Sequence, residues 1–329
     1  MIKTKSFGLA YELKNEEKLP VPLFDVHINF WNVNGKNVSP FIDFGIKVIN
    51  FRSIKKLTFS APFPIKDEDI VDLSYLLGAT ESQLIFNDLE FNYGTIPKGY
   101  SFIYKQGEKI AFVPIKCGLD DNNYINEVTV NSNQSQNFNV SFNISQYRSF
   151  PQDTTAIYFR FRIKSNKLVE TLMKKLKEKN YYLESAFVER QIIDIKFNDA
   201  RNMNRSDFNN IKKDTFEFAK FKSVHLFLMV PSSYEVTVLD NFSECRQLED
   251  GWNNYLQNKD NKKTKNKTYE NLIVYHWKKK AKHKNDSFDK FTQLIKLEYK
   301  DTNLKLLLFY CIVVIILGAF GSGLAEKLF

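Results

Sequence analysis

The amino-acid sequence predicts a mainly β or α+β body, with antiparallel, sandwich-like sheets and a few short helices, followed by one C-terminal transmembrane helix. Three observations support this fold class. Apolar and polar residues alternate along much of the first half, 43% of residues are hydrophobic with 30 Phe and 16 Tyr, and the chain ends in a long uncharged run. Alternation is typical of strands with one buried face, and this apolar content suffices for large packed cores.

Residues 1–150 are predicted to form an antiparallel β domain. Phe24, Val26, Ile28 and Phe30 alternate with polar residues, and the following Asn34-Gly35 pair is a strong hairpin signal before a strand over 41–51. Further strands are expected at 56–61, 83–91, 99–104, 109–115 and 137–144, with a short helix at 67–77.

Residues 151–258 are predicted to form an α+β domain. A strand over 157–163 precedes Ser165, which can cap an amphipathic helix, and strands at 186–197, 224–230 and 235–239 follow, then a short helix at 243–256. The remaining chain is predicted as a lysine-rich juxtamembrane segment with a short strand (259–286), an amphipathic stalk helix (287–303) and the transmembrane helix (304–326).

The membrane prediction depends on length and charge. From Leu306 to Ala325, 20 residues carry no charge, and a helix of that length covers roughly 30 Å, the thickness of a bilayer core. Ten lysines and two acids between Lys259 and Lys284 give a local charge of +8 out of +9. Because lysines flank the cytoplasmic side of a span, and no signal peptide opens the chain, we expect a tail-anchored, single-pass inner-membrane protein. Its N-terminal domain is then cytoplasmic and its C-terminus lies on the far side.

Small residues repeat at a spacing of four in the final run. Such spacing allows close helix–helix contact in lipid, and it predicts a homo-oligomer, with a tetramer among the assemblies that could enclose a pore. The alternative is that small residues are simply frequent in spanning helices. The residues concerned are Gly318, Ala319, Gly321, Ser322, Gly323 and Ala325.

Two sets of residues are candidates for ligand binding. The first lies in the lysine-rich segment and comprises Tyr275, His276, Trp277, Lys278, Lys279 and Lys280. It could bind the phosphates and stack the bases of a nucleotide or short oligonucleotide, lie on the anionic inner leaflet of the bilayer, or be a solvated topology signal. The second set is Arg160, Arg162 and Lys164, whose alternative interpretation is a solvent-facing strand face.

The sequence favours a protein that is not an enzyme. His27 and His225 fall inside strand patterns and are interpreted as structural, and His276 and His283 have no partners at metal-ligand spacing. No glycine-rich phosphate loop or nucleophile motif is present, and the carboxylates of Asp194 and Asp199 are weak evidence for a nuclease. We therefore expect no cofactor and no metal. Three distant cysteines likewise allow no disulfide framework.

The layout of a sensing body, a lysine-rich segment and a terminal run ending Gly318-Ala319-Phe320-Gly321-Ser322-Gly323 resembles the membrane effectors of bacterial anti-phage systems, such as the Hailong channel effector and Argonaute-associated effectors. The resemblance implies an oligomer that responds to a nucleotide or nucleic-acid signal made by a partner enzyme, with loss of membrane integrity as output. A gated membrane effector is thus the predicted function. The alternatives are a tail-anchored adaptor or scaffold that binds a partner protein, and a membrane-tethered hydrolase.

Overall fold

A computed structural model describes most of the chain. The described residues are 6–14, 19–33, 39–86, 92–95, 101–105, 107–115, 138–144, 147–148, 150–176, 188–203, 216–238, 242–256, 271–283, 286–300 and 304–328. The hairpin prediction at Asn34-Gly35 and the lysines between residues 257 and 270 lie outside them.

A ten-stranded mixed sheet forms the centre of the fold. In chain order its strands are β2 (Leu23–Trp31), β3 (Phe41–Ile49), β5 (Ile70–Asp72), β6 (Asn92–Thr95), β7 (Ser101–Lys105), β8 (Glu108–Phe112), β10 (Thr154–Ile163), β14 (Phe221–Pro231), β16 (Glu244–Gln247) and β17 (Leu272–Lys280). The strand order is β16-β17-β14-β2-β3-β10-β8-β7-β6, and β5 pairs with β10 beside this path.

Two four-stranded sheets and four helices complete the described structure. The first small sheet contains β1 (Gly8–Leu13), β4 (Ile54–Ala61), β9 (Phe138–Asn143) and β13 (Phe216–Phe218), and the second contains β11 (Met173–Lys175), β12 (Val188–Phe197), β15 (Tyr234–Val238) and β18 (Phe291–Lys300). The helices are α1 (Ala79–Phe86), α2 (Asn166–Leu172), α3 (Trp252–Leu256) and α4 (Leu304–Leu328). Ser165 caps α2 as expected, accepting from the backbone N–H of Lys167.

The two faces of the large sheet have different environments. On one face, alternate residues of β2 and β3 pack against both small sheets in a phenylalanine-rich core, where the rings of Phe7 and Phe44 lie 4.9 Å apart. On the other face, two helices cover one part of the sheet, α1 through Ile85 and α3 through Trp252 and Tyr255. The rest of this second face carries polar side chains, and it contains the candidate site.

The large sheet draws strands from both predicted domains. β2 pairs with β3 on one side and with β14 on the other, in parallel. Strands from either side of residue 150 therefore share one sheet and one core.

Four local predictions were wrong. Residues 244–247 of the helix expected over 243–256 form β16, and α3 covers only Trp252–Leu256. Residues 67–77 form two short 3-10 turns and β5 instead of one helix, and part of the expected strand at 83–91 lies in α1. The stalk helix predicted over 287–303 is wrong because residues 291–300 form β18, in which Phe291, Gln293, Ile295 and Leu297 are the buried set. This alternation has the period of a strand, and pairing with β12 and β15 decides between the two interpretations.

The prediction of a C-terminal transmembrane helix was also wrong. No helix in the described parts of the chain is both long enough and apolar enough to cross a membrane. The mainly β part of the predicted fold class is observed, whereas the single-pass, tail-anchored inner-membrane location and the pore it implied are corrected.

Candidate functional site

Three rows of side chains cross the polar face of the large sheet. Residues paired directly across neighbouring strands point to the same face, as do residues two apart in one strand. In the order β10, β3, β2, β14, β17, the first row is Tyr158, Lys47, Asp25, Ser223 and Lys280, the second is Arg160, Gly45, His27, His225 and Lys278, and the third is Arg162, Asp43, Asn29, Phe227 and His276.

Gly45 leaves space above β3 that the side chains of Tyr158 and Arg160 fill. A Cβ atom at this position would lie 1.9 Å from the Tyr158 hydroxyl oxygen and 3.0 Å from Nη1 of Arg160. These two side chains therefore occupy the space that any larger residue would need. Because Gly45 has no side chain, the Tyr158 hydroxyl oxygen lies 3.2 Å from Nδ1 of His27, within hydrogen-bonding distance.

The open half of this face is a cleft of about 500 Å³. Such a volume is typical of a small-molecule site. Helix α1 contributes an apolar wall of Leu84, Ile85 and Phe86, while the sheet contributes polar groups. The charged lining residues are Lys47, Lys222, Arg246, Lys278 and Lys280 against Asp25, Glu108 and Glu244, an excess of two positive charges.

The cationic side chains of the cleft differ in their pairing. Lys47 forms ion pairs with Asp25, at 3.7 Å, and with Glu108. Within the described structure, Lys222, Lys278 and Lys280 contact no carboxylate. These three lysines give the β14–β17 end of the cleft an unneutralised positive charge, which favours an anionic ligand.

Three histidines form the floor of the cleft. Nδ1 of His225 and Nε2 of His276 lie 3.1 Å apart, and the His276 ring stacks on Phe227 with centroids 4.2 Å apart. Burial lowers the pKa of His276. Glu244 acts in the opposite direction, whereas the positive charges of Lys278 and Arg246 lower the pKa further. Burial, followed by the charges of neighbouring cationic groups, holds the pKa of His27 well below its usual value. Both imidazoles are therefore neutral at pH 7.

The covered end of the face contains a buried charge network. Arg162 makes a bidentate ion pair with Asp43, with N–O distances of 2.7 and 3.0 Å. The second carboxylate oxygen also accepts from Nε1 of Trp31 and from the Tyr255 hydroxyl, both at 2.8 Å. Nε of Arg160 donates to that same Tyr255 oxygen at 2.7 Å. Helix α3 thus covers the β10 end of the rows through a tyrosine that links two charged groups.

The candidate residues of the lysine-rich segment lie on both faces of β17. His276, Lys278 and Lys280 line the cleft, whereas Tyr275, Trp277 and Lys279 alternate with them on the opposite face. Trp277 packs into the phenylalanine-rich core. The strand period thus divides this set into two groups, and only one of them faces the cleft.

The arginines of β10 are not on a solvent-facing strand face, contrary to the alternative interpretation of the sequence. Arg160 and Arg162 are 0% and 1% exposed in the network with Asp43. Lys164 follows the end of β10, where its backbone N–H donates to the carbonyl of Asp69 at 2.9 Å.

The glycines of the final run lie in α4. A Cβ atom at Gly318, Gly321 or Gly323 would meet no described atom within 4 Å, and Ser322 bonds back to the carbonyls of Gly318 and Ala319. The pore wall predicted from these residues is corrected, because no described helix qualifies as a membrane span. Helix–helix packing through them, Ala319 and Ala325 included, stays a prediction.

Sequence reasoning missed most of the cleft. His27 and His225 were interpreted as structural, and Lys47, Lys222 and Phe227 were not considered. A signal was present, because Asp25, His27 and Asn29 are the polar set of β2 in the predicted alternation. The sequence could not show that β14 pairs with β2, which places Ser223 and His225 beside these residues on the same face of the sheet.

The site contains no metal centre among the residues that the structure describes. There, no group of three or more His, Cys, Asp or Glu side chains could hold a metal ion. The charged and aromatic side chains that line the cleft carry ammonium, guanidinium, carboxylate, imidazole and phenyl groups.

Comparisons with known proteins add little to this description. No family model matches the chain, and no curated protein matches it. Among solved structures it is similar to an M1 zinc metallopeptidase from Deinococcus radiodurans, at 9% identity and a TM-score of 0.22, covering 89% of this chain and 42% of that one. It is also similar to the Fcho1 Mu homology domain of Danio rerio with bound Eps15 peptide, at 8% identity and a TM-score of 0.16, covering 91% and 81%. The chain thus spans less than half of the peptidase, and neither score supports an argument about fold or function.

Proposed function

We propose that this protein binds a small phosphate-bearing ligand of the nucleotide class in the cleft on the polar face of the ten-stranded sheet. The observation that supports this most is the group of Lys222, Lys278 and Lys280, which have no acidic partner in the described structure and lie beside neutral aromatic rings. Ammonium groups bind phosphate as point charges. The planar rings of His276 and Phe227 offer a stacking surface for a base.

Isothermal titration calorimetry with adenosine diphosphate tests this proposal. Replacing Lys278 and Lys280 together by Ser removes two phosphate contacts, and we expect the dissociation constant to rise at least about tenfold, because one charge-assisted hydrogen bond is worth about 1.5–3 kcal/mol.

The matched control is Lys279→Ser. Lys279 lies between the other two but on the opposite face of β17, where Nζ donates to the carbonyl of Lys290. Its replacement should leave the dissociation constant unchanged. Equal losses in both variants, or no binding by the unaltered protein, would contradict the proposal.

Cleavage of a phosphoester is the second candidate, because two imidazoles and Glu244 lie next to the lysines. Cleavage needs one group that accepts a proton from the attacking hydroxyl and another that donates one to the leaving oxygen. Here Nδ1 of His225 faces Nε2 of His276, and Nδ1 of His276 faces Glu244 at 3.7 Å. The imidazoles are directed at each other and not at two sides of a phosphorus atom, so the geometry favours binding over turnover.

The proposal does not depend on the other sequence-based expectations. A role in anti-phage defence, self-association and a partner enzyme that makes the signal stay predictions. The lysine-rich residues 257–270, which lie outside the described structure, do not contribute to the argument.

A further inference from the structure

The buried network at the covered end of the cleft has more positive than negative charge. It contains the guanidinium groups of Arg160 and Arg162 and the carboxylate of Asp43, all at most 1% exposed. Arg162 takes both oxygens of that carboxylate. Because arginine stays protonated in proteins, one buried positive charge lacks a counter-ion in this network.

The hydrogen bonds of Arg160 do not neutralise its charge. Nε donates to the Tyr255 hydroxyl at 2.7 Å and Nη1 to the Tyr158 hydroxyl at 3.1 Å. Burial raises the pKa of both phenols, so both are neutral at pH 7. Nη2 has no hydrogen-bond partner in the described structure. A buried charge of this kind is costly to the fold unless another group compensates it.

A small cavity lined by Arg160 adjoins the cleft. It measures about 20 Å³ and is lined by Arg160, by Asn29, whose Oδ1 is also buried and unpartnered in the described structure, and by apolar side chains that include Trp31 and Trp252. The cavity shares His27, Leu84, Ile85, Phe227 and Arg246 with the cleft. This volume suffices for about one water-sized atom. It can therefore admit a single oxygen of a larger group that lies mainly in the cleft.

We propose that this cavity is an oxyanion subsite, and that the ligand of the cleft carries a second anionic group, one oxygen of which enters beside Nη2 of Arg160. The inference rests on the proposed function. Half a turn of the Asn29 amide presents its NH₂ group to the same oxygen. The subsite thereby supplies the counter-ion that the network lacks.

The position of the subsite defines the class of ligand. Arg160 and Lys278 stand at opposite ends of the second row, four strand intervals apart, which corresponds to about 19 Å between backbones. Their side chains shorten this gap, and His27 and His225 lie between them. A nucleotide with anionic groups at both ends, such as a nucleoside bisphosphate or a dinucleotide, matches two separated cationic positions with aromatic rings between them.

Calorimetric titration with adenosine 5′-monophosphate and adenosine 3′,5′-bisphosphate tests the subsite. The unaltered protein should bind the bisphosphate at least about tenfold more tightly than the monophosphate, because the second phosphate adds one charge-assisted hydrogen bond. In Arg160→Met this advantage should disappear while monophosphate binding is retained. The combined Lys278→Ser and Lys280→Ser variant should weaken both nucleotides.

Asn29→Asp provides a second variant of nearly the same shape. The new carboxylate lies at the cavity wall, where it can pair with Arg160 and repel the ligand. We expect a higher thermal unfolding midpoint together with loss of the bisphosphate advantage. We do not expect the combined Lys278→Ser and Lys280→Ser variant to show this combination of effects.

The outcomes separate the two proposals. If neither nucleotide binds the unaltered protein, the proposed function and the subsite both fail. If both bind but with equal affinity, or if the bisphosphate advantage persists in Arg160→Met and in Asn29→Asp, the lysine site stands and the oxyanion subsite is wrong.

Discussion

At the scale of single residues, the site combines groups whose charge states are set by burial. His27 illustrates this, because its imidazole is packed between Tyr158, which bonds to its Nδ1, and the edge of the His225 ring. Burial and the nearby cations make its protonation unfavourable and lower its pKa. The neutral ring can exchange hydrogen bonds without adding to the positive charge of the cleft.

This lowered pKa predicts how stability depends on pH. Well above pH 6.5 neither the folded nor the unfolded chain is protonated at His27, so the full stability is present. As the pH falls below 6.5, the unfolded chain takes up a proton that the folded chain excludes, and the free energy of unfolding decreases. Between pH 6.5 and 5.5 this effect amounts to about 1 kcal/mol for one histidine.

Urea unfolding of the protein and of His27→Gln at the two pH values measures the difference. The variant should lose about 1 kcal/mol less than the unaltered protein over this interval. Its remaining pH dependence should include a contribution from His276, whose pKa is lowered too. Parallel losses in the two proteins would show that His27 titrates alike in the folded and unfolded states.

At the scale of elements, the short helix α3 determines which part of the polar face is covered. Trp252 packs against Trp31 with ring centroids 5.6 Å apart, and Tyr255 places its hydroxyl between Arg160 and Asp43. A helix of five residues has little stability of its own. Its position therefore depends on these tertiary contacts.

Tyr255→Phe should consequently destabilise the protein by about 3 kcal/mol. The change keeps the ring but leaves two buried charged groups each one hydrogen bond short. Urea unfolding monitored by tryptophan fluorescence measures this loss. Tyr104→Phe is the control, because that side chain lies on β7 and is 41% exposed. A Tyr255→Phe variant as stable as the control would contradict the bridging role of the hydroxyl.

Elements with strong alternation could be predicted from the sequence, whereas their partners could not. β2, β3 and β10 were located from their period of two. β18 was mistaken for a helix because Phe288, Phe291, Leu294 and Ile295 also fit a helical spacing. Local pattern cannot decide such cases when pairing with distant strands provides the stabilising contacts.

At the scale of the whole molecule, the site exists because distant parts of the chain become neighbours. Asp25 and Ser223 are 198 residues apart, yet the Ser223 hydroxyl donates to the Asp25 carboxylate at 2.6 Å. The two imidazoles of His27 and His225 meet in the same way, with ring centroids 5.2 Å apart. Sequence analysis identified His276, Lys278 and Lys280 as candidate ligand residues, but their neighbours follow from the topology of the sheet alone.

The prediction of a membrane protein, in contrast, depended on one local stretch of sequence. Composition and charge along the final run were read directly as a span, and the described part of α4 does not meet the length and apolarity that crossing requires. Helical conformation itself was predicted there, as α4 covers Leu304–Leu328. The residues proposed to bind the ligand lie on the polar face of the central sheet and not at the end of the chain.

The most direct test of the central claim is to follow the four histidine side chains by ¹H–¹⁵N NMR during titration with adenosine diphosphate, with each signal assigned from a His→Asn variant. His27, His225 and His276 line the cleft, while His283 is exposed beyond the end of β17 and provides an internal control. We predict that the ring signals of His225 and His276 shift with a single saturating dissociation constant and that His283 does not respond. Unchanged signals from all the cleft histidines, or a response from His283 alone, would contradict the assignment of this cleft as the ligand site.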